Sequence, residues 1–235
     1  MSFGGGTWVT QNKVIPGAYI NVVSAGIASA ALSDRGIATM PLELDWGPED
    51  KIFKVTKGDM QKYSKKIFGY GYTDEKMKGL RDLFAGGTLV LYAYRLNGGG
   101  VKAANDYATA KYTGIRGNDI KISIAKDIDD PDSWNVTTYL DTSRIEVQNV
   151  KKAADLKDND YVSFKTESME LAAVASAALT GGTNGTVDGD AHAKYQAKTE
   201  AYGFNTMGVV ITDEVTKKLY VAYVKRMRDE VGKKF

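Results

Sequence analysis

The chain has 235 residues, enough for one large domain or two modest ones, and its 31 Lys and Arg stand against 29 Asp and Glu. With the signs interspersed, that near-balance supplies no bulk field to hold nucleic acid or an anionic membrane. Cysteine is absent, which excludes disulfides, thiolate metal sites and cysteine nucleophiles.

The start, Met1-Ser2-Phe3-Gly4, has neither the basic nor the apolar region of a secretory signal, and the most apolar stretch, 171–179, is too short to span a bilayer. We therefore expect a protein made and folded in the cytosol without a membrane anchor. Residues 1–13 are glycine-rich and polar and read as an arm. Residues 14–23 follow, with Pro16-Gly17 at their start, and the run 18–23 has strand composition. Proline cannot donate to a ladder, so this strand suits a sheet edge or an added strand.

Residues 24–36 read as a loop, and 37–44 as a strand bent at Pro41 and stopped by Trp46-Gly47-Pro48. A helix is predicted after Gly58, with Asp59 as N-cap and Met60, Tyr63, Ile67 and Phe68 on one face. A second follows Thr73, shows Met77, Leu80, Leu83 and Phe84, and stops at Gly86-Gly87. Between glycines, "TLVLYAYRL" (88–96) is the nearly continuous apolar run of a strand buried on both faces.

After Asn97-Gly98-Gly99-Gly100, a hinge by composition, the texture changes. Ile120, Ile122 and Ile124 alternate with polar residues, as do Trp134 and Val136, Ile145 and Val147, and Val162 and Phe164. Short strands at turn-separated intervals predict a small antiparallel sandwich or barrel. An Ala/Leu helix is expected over 168–179, followed by the glycine-rich join "LTGGTNGTVDGD". Helix then returns over 191–202, with Tyr195 and Tyr202 on one side, and a short strand spans 207–211. Thr212 is expected to cap a helix running to Val231, with Val215, Leu219, Ala222, Tyr223, Met227 and Val231 on its stripe.

The predicted fold is α+β / α/β: an α/β core domain interrupted by an inserted antiparallel β-sandwich or barrel domain, with an extended N-terminal arm. The division is 1–23 for the arm, 24–97 for the first part of the core, 98–187 for the insertion and 188–235 for the second part of the core. A strand followed by an amphipathic helix is half of a parallel βαβ unit whose next strand would begin after Gly232, so the core is expected to be incomplete.

Catalytic signatures are sparse. "LTGGTNGTV" has no lysine after its last glycine, and "FGYGYTDEK" lacks the third glycine of a dinucleotide turn. "DIDDPDS" (127–133) and "DGDAH" (188–192) lack the glycine and distal glutamate of a calcium loop. Asp188, Asp190 and His192 alternate like metal ligands, with no second cluster to complete a site. His192 is the only histidine, and no serine has a nucleophile-elbow context. The basic stretch "YVKRMRDEVGKKF" reads as the solvated face of an amphipathic helix. No cofactor or metal is expected.

The ordered segments "GTWVTQNKVIPGAYINV", "RGIATMPLELDWGP", "AKYTGIRGNDIKI", "LTGGTNGTV" and "YVKRMRDEVGKKF" resemble the contractile tail sheath proteins of myophages and phage-tail-like bacteriocins, over nearly the whole chain. The resemblance implies a structural subunit, not an enzyme, with an α/β core, outward-facing β-rich inserted material and arms that reach neighbouring subunits. It implies that the N-terminal arm adds a strand to a neighbour's core sheet, with Val14, Ile15, Tyr19, Ile20 and Val22 in the linking strand. The implied partners are other copies of the chain, an inner tail tube, and baseplate and terminator proteins, with no direct nucleic-acid contact and no membrane insertion. The implied location is a virion tail or bacteriocin particle assembled in the host cytoplasm. Family members continue past the position of Phe235, so the family's C-terminal part is expected to be missing. Two other readings stay open. One is a glycan- or surface-binding module using Trp134 and Tyr139, and the other a metal-assisted hydrolase using Asp188, Asp190 and His192.

Overall fold

A computed structural model describes residues 36–232; the arm and its linking strand (1–23) lie outside the described residues. The first layer is a four-stranded sheet of order β10-β1-β3-β2. It is built from β1 (Ile37–Leu42), β2 (Phe53–Thr56), β3 (Val90–Arg95) and β10 (Thr206–Met207). β1 runs parallel to both β3 and β10, while β2 is antiparallel to β3. Strand β3 is flanked on both edges and covered on both faces, as its continuous apolar run requires.

Alternation along the strands splits two cores. Ala38, Val55, Leu91 and Ala93 face α1 (Lys57–Phe68) and α2 (Lys78–Ala85), meeting Met60, Phe68, Leu80 and Phe84. On the opposite face Tyr94 packs with Tyr195 of α3 (Gly189–Thr199) and Tyr220 of α4 (Glu214–Asp229). The Tyr195 hydroxyl lies 2.9 Å from Thr39 Oγ1, so this buried phenol is satisfied.

Several local readings shift. Thr56, not Asp59, caps α1; Asp59 occupies the third position and closes a capping box by accepting from Thr56 N at 3.0 Å. Tyr63 is half exposed, outside the buried face of Met60 and Phe68. Asp213, not Thr212, caps α4. The packed face of α4 is Tyr220, Tyr223 and Met227, whereas Val215, Leu219, Ala222 and Val231 are exposed. Strand β10 is two residues long, shorter than 207–211.

Residues 98–184 form the antiparallel part. A four-stranded sheet of order β7-β6-β5-β9 combines β5 (Ile120–Lys126), β6 (Trp134–Leu140), β7 (Ser143–Val150) and β9 (Val174–Ala178). A two-stranded sheet pairs β4 (Ala108–Ala110) with β8 (Val162–Phe164). Ile120, Ile122 and Ile124 point into the core together with Val136, Leu140, Val162 and Phe164. The helix expected over 168–179 is absent, and β9 stands there, paired antiparallel with β5. Alanine's helix preference amounts to only tenths of a kcal/mol per residue, and a free ladder edge on β5 outweighs it.

Candidate assembly surfaces

Two places concentrate geometry beyond ordinary packing: the joint between the α/β layer and the antiparallel part, and the crevice at the carboxyl ends of β1, β3 and β10.

The joint is organised by the segment between β1 and β2. Trp46, 1% exposed, enters the core of the antiparallel part. It meets Tyr112 edge-on at 5.2 Å and stacks on Tyr161 at 6.0 Å. Its indole Nε1 donates to Lys66 O at 3.2 Å, which ties the same ring to α1. Burial pushes the Tyr161 hydroxyl pKa up to about 12. Glu49 accepts from Thr113 Oγ1 at 2.5 Å and from Gly99 N at 2.7 Å. Arg95, 1% exposed, donates to Thr113 O at 2.9 Å and Gly47 O at 3.3 Å.

Asp45 gathers four segments. Its carboxylate accepts from Tyr70 OH at 2.6 Å, from Lys76 Nζ and from Asn184 Nδ2 at 2.8 Å. Burial alone would raise its pKa, but the bonds from Lys76, Tyr70 and Asn184 outweigh it and hold the group below the usual carboxylate range. Arg116 donates to Gly69 O at 2.8 Å and Asp119 at 2.7 Å, and forms a bidentate pair with Asp141 at 2.7 and 2.6 Å. That pair holds the Asp141 carboxyl low.

Some glycines of the crossing, Gly100, Gly182 and Gly185 among them, are close-approach positions, whereas Gly99 and Gly181 have open space around them. A Cβ at Gly100 would overlap Thr183 O, and one at Gly114, where φ is 125°, would overlap Asp45 O. The two crossing strands bond each other through Val101 N to Thr183 O at 3.1 Å and Thr183 N to Val101 O at 3.0 Å.

The crevice sits where α3 and α4 begin. A cavity of about 520 Å³ is lined by Pro41, Leu42, Leu96, Val187, Val210 and Ile211, with Glu43, His192 and Asp213 also at its walls. A second, of about 180 Å³, lies on the α1 and α2 side, and Leu42, Glu43 and Val210 line both. The helix N-termini carry their own carboxylate caps, Asp188 to Ala191 N at 2.9 Å and Asp213 to Thr216 N at 2.7 Å. Anion binding there is therefore disfavoured.

The remaining candidates separate. The linking residues Val14, Ile15, Tyr19, Ile20 and Val22 lie outside the described residues. Asp188 is a helix cap, Asp190 is exposed in the first turn, and His192 Nδ1 lies 2.8 Å from Tyr220 OH. Burial lowers the His192 pKa against the opposing fields of Glu43 and Asp188. Among the described residues no three His, Cys, Asp or Glu are grouped to hold a metal ion. Asp127 accepts from Asn135 and Asn149 at 2.7 and 2.8 Å and from two backbone N–H groups of its own turn. That loop is a turn closed on itself. Trp134 packs against the β core with Lys126 Nζ 4.2 Å from its ring centroid, and Tyr139 is half buried on β6 opposite Arg144. Sequence reasoning missed Trp46, Glu49, Arg95 and Arg116. The local cue was the packed string Asp45-Trp46-Gly47-Pro48, read only as a strand stop.

The fold is thus an α/β layer joined to an antiparallel β part through Trp46, Asp45, Glu49, Arg95 and Arg116. The "Phage tail sheath protein beta-sandwich domain" model matches residues 98–184, and the "Tail sheath protein Gp18 domain III N-terminal region" model matches residues 35–96. The chain belongs to the phage tail sheath protein family. It is 32% identical to the phage-like element PBSX protein XkdK of Bacillus subtilis (strain 168), over 98% of this chain and 53% of that protein. A solved sheath tail protein from Desulfitobacterium hafniense superposes with TM-score 0.78 at 35% identity, over 93% of this chain and 51% of that one. A second, from Listeria innocua, gives TM-score 0.71 at 31% identity, over 86% and 48%. The chain spans about half the length of the relatives it matches.

Proposed function

We propose that this chain is a structural subunit of a contractile tail sheath. It polymerises around an inner tube and contracts to drive that tube through a target envelope, ejecting a genome where the parent particle is a phage. The observation that carries the reading is the ordered match of both parts of the chain to tail sheath models, on a fold shared with sheath tail proteins. The domain division proposed with it is an arm (1–23), a core in two pieces (24–97 and 188–235) and an insertion (98–187).

The arm, through Val14, Ile15, Tyr19, Ile20 and Val22, links each subunit to a neighbour by main-chain hydrogen bonds. Each such bond contributes about 1 kcal/mol net, so one joint is modest and a lattice of them is strong. Contraction energy resides in the extended lattice, which relaxes to a better-packed one, and no nucleotide or metal takes part. The other partners are the tube, baseplate and terminator proteins, and the particle assembles in the host cytoplasm.

Negative-stain electron microscopy tests the reading. The protein expressed from its complete native reading frame forms hollow helical tubes, and deleting residues 1–23 abolishes them. Dispersed particles from the complete frame, even when concentrated and offered a tail tube, would overturn it.

A further inference from the structure

The two Asn-Gly pairs of the chain, Asn97-Gly98 and Asn184-Gly185, meet at the crossing. Asn97 O accepts from Gly185 N at 3.1 Å, and a Cβ at Gly185 would overlap Gly98 O. Asn184, half-buried, is pinned at both ends of its side chain: Nδ2 donates to Asp45 at 2.8 Å, and Oδ1 accepts from Ile115 N at 3.2 Å. Asn97 is buried, and its Oδ1 accepts from Leu44 N at 2.8 Å and Arg95 Nε at 3.3 Å. In an Asn-Gly pair the side-chain amide is open to attack by the next backbone nitrogen, because glycine has no Cβ to obstruct the approach.

We propose that Asn184 is a self-modification site gated by the joint: it deamidates through a cyclic imide when the crossing opens, and the product cannot relock. The inference does not depend on the sheath reading. In the step, Gly185 N attacks Asn184 Cγ, so an N–C bond forms and the Cγ–Nδ2 bond breaks. The amide leaves as ammonia with the proton shed by Gly185 N. Water then opens the imide at either carbonyl, to aspartate or isoaspartate. In the folded crossing Gly185 N–H is committed to Asn97 O, and Asp45 and Ile115 hold the Asn184 amide, so the reacting atoms are denied a near-attack geometry. The two sites differ in consequence. At Asn97 an aspartate keeps the acceptor that faces Arg95 and Leu44 N. At Asn184 it loses the donor to Asp45 and sets one carboxylate against another.

The test holds the full chain in mildly alkaline buffer, folded or in urea, and follows aspartate and isoaspartate at positions 97 and 184 by peptide mass mapping. In urea both positions convert at similar rates. In the folded protein conversion at 184 is about tenfold or more slower, because it waits for local opening. Asp45→Ala frees the Nδ2 end and speeds conversion at 184 in the folded chain about threefold, while position 97 keeps its rate. If Asp45→Ala does not fold, the folded wild type against the urea sample still decides. The consequence is read on Asn184→Asp, which lowers the melting midpoint by several degrees near neutrality and recovers as pH falls below about 5, where one of the two carboxyls takes a proton. No conversion at 184 in urea would overturn the site, and equal rates in the folded and unfolded chain would overturn the gate. A midpoint for Asn184→Asp equal to that of wild type would overturn the loss of the lock.

Discussion

Replacing Arg116 with Met tests how far the ion pairs within the antiparallel part hold the side chain that crosses the joint to Gly69 O. The guanidinium is nearly buried and makes four short bonds, to Gly69 O, Asp119 and both oxygens of Asp141. Its carboxylate partners are not buried: the Asp119 and Asp141 side chains are 50% and 43% exposed and regain water when the partner leaves. The cost thus falls between the 0–1 kcal/mol of an exposed pair and the roughly 3–5 kcal/mol of a broken buried one, at about 2 kcal/mol. For a chain of this size that is a fall in melting midpoint of about 4–8 °C. Urea unfolding followed by tryptophan fluorescence measures it directly. Arg116→Lys restores less than half, because an ammonium cannot hold Asp141 bidentately while reaching Gly69 O. The pH dependence carries a sign. The folded-state pKa of Asp141 lies below its unfolded value, chiefly through the Arg116 bond, so the pair's stabilisation is present above the unfolded value near 4 and lost as pH falls through the folded one. The gap between wild type and Arg116→Met therefore narrows between pH 5 and pH 2. A cost under about 0.5 kcal/mol at pH 7, or a gap unchanged by acid, would refute the argument.

Trp46→Ala removes a fully buried indole shared by the antiparallel core and α1, and its expected cost in the same urea assay is about 3–5 kcal/mol. Gly114→Ala places a methyl group on Asp45 O at a positive φ and lowers the melting midpoint by several degrees, whereas Gly71→Ala, with open space around it, leaves the midpoint within error. Thr56→Ala opens the capping box of α1 and costs about 1 kcal/mol, read as faster amide exchange in its first turn.

Much of the architecture was legible because it is written in short-range pattern. The continuous apolar run of β3, the alternating isoleucines of β5 and the glycines closing α2 each dictate an element without help from the rest of the chain. The change of texture at Asn97 separated the helical layers from the antiparallel part. Where local preference is weak, the tertiary structure decided. Residues 174–178 became a strand because β5 offered an open ladder, not because alanine favours one. The packed face of α4 was set by Tyr220, Tyr223 and Met227 meeting α3 and the sheet, so a stripe containing Val215 and Leu219 was rotated off the true face. The joint was invisible for a stronger reason. Asp45 and Asn184 are 139 positions apart, Arg95 and Thr113 are 18 apart, and the glycines between them look like flexible linkers in any window of sequence. Only the folded chain brings backbone oxygens so close to Gly100 and Gly114 that no side chain fits. The sequence by itself determined the strongly patterned elements, such as β3, β5 and α2, and the family resemblance; the three-dimensional packing determined that β9 is a strand and that Gly100 and Gly114 are points of close approach, because both depend on distant segments meeting.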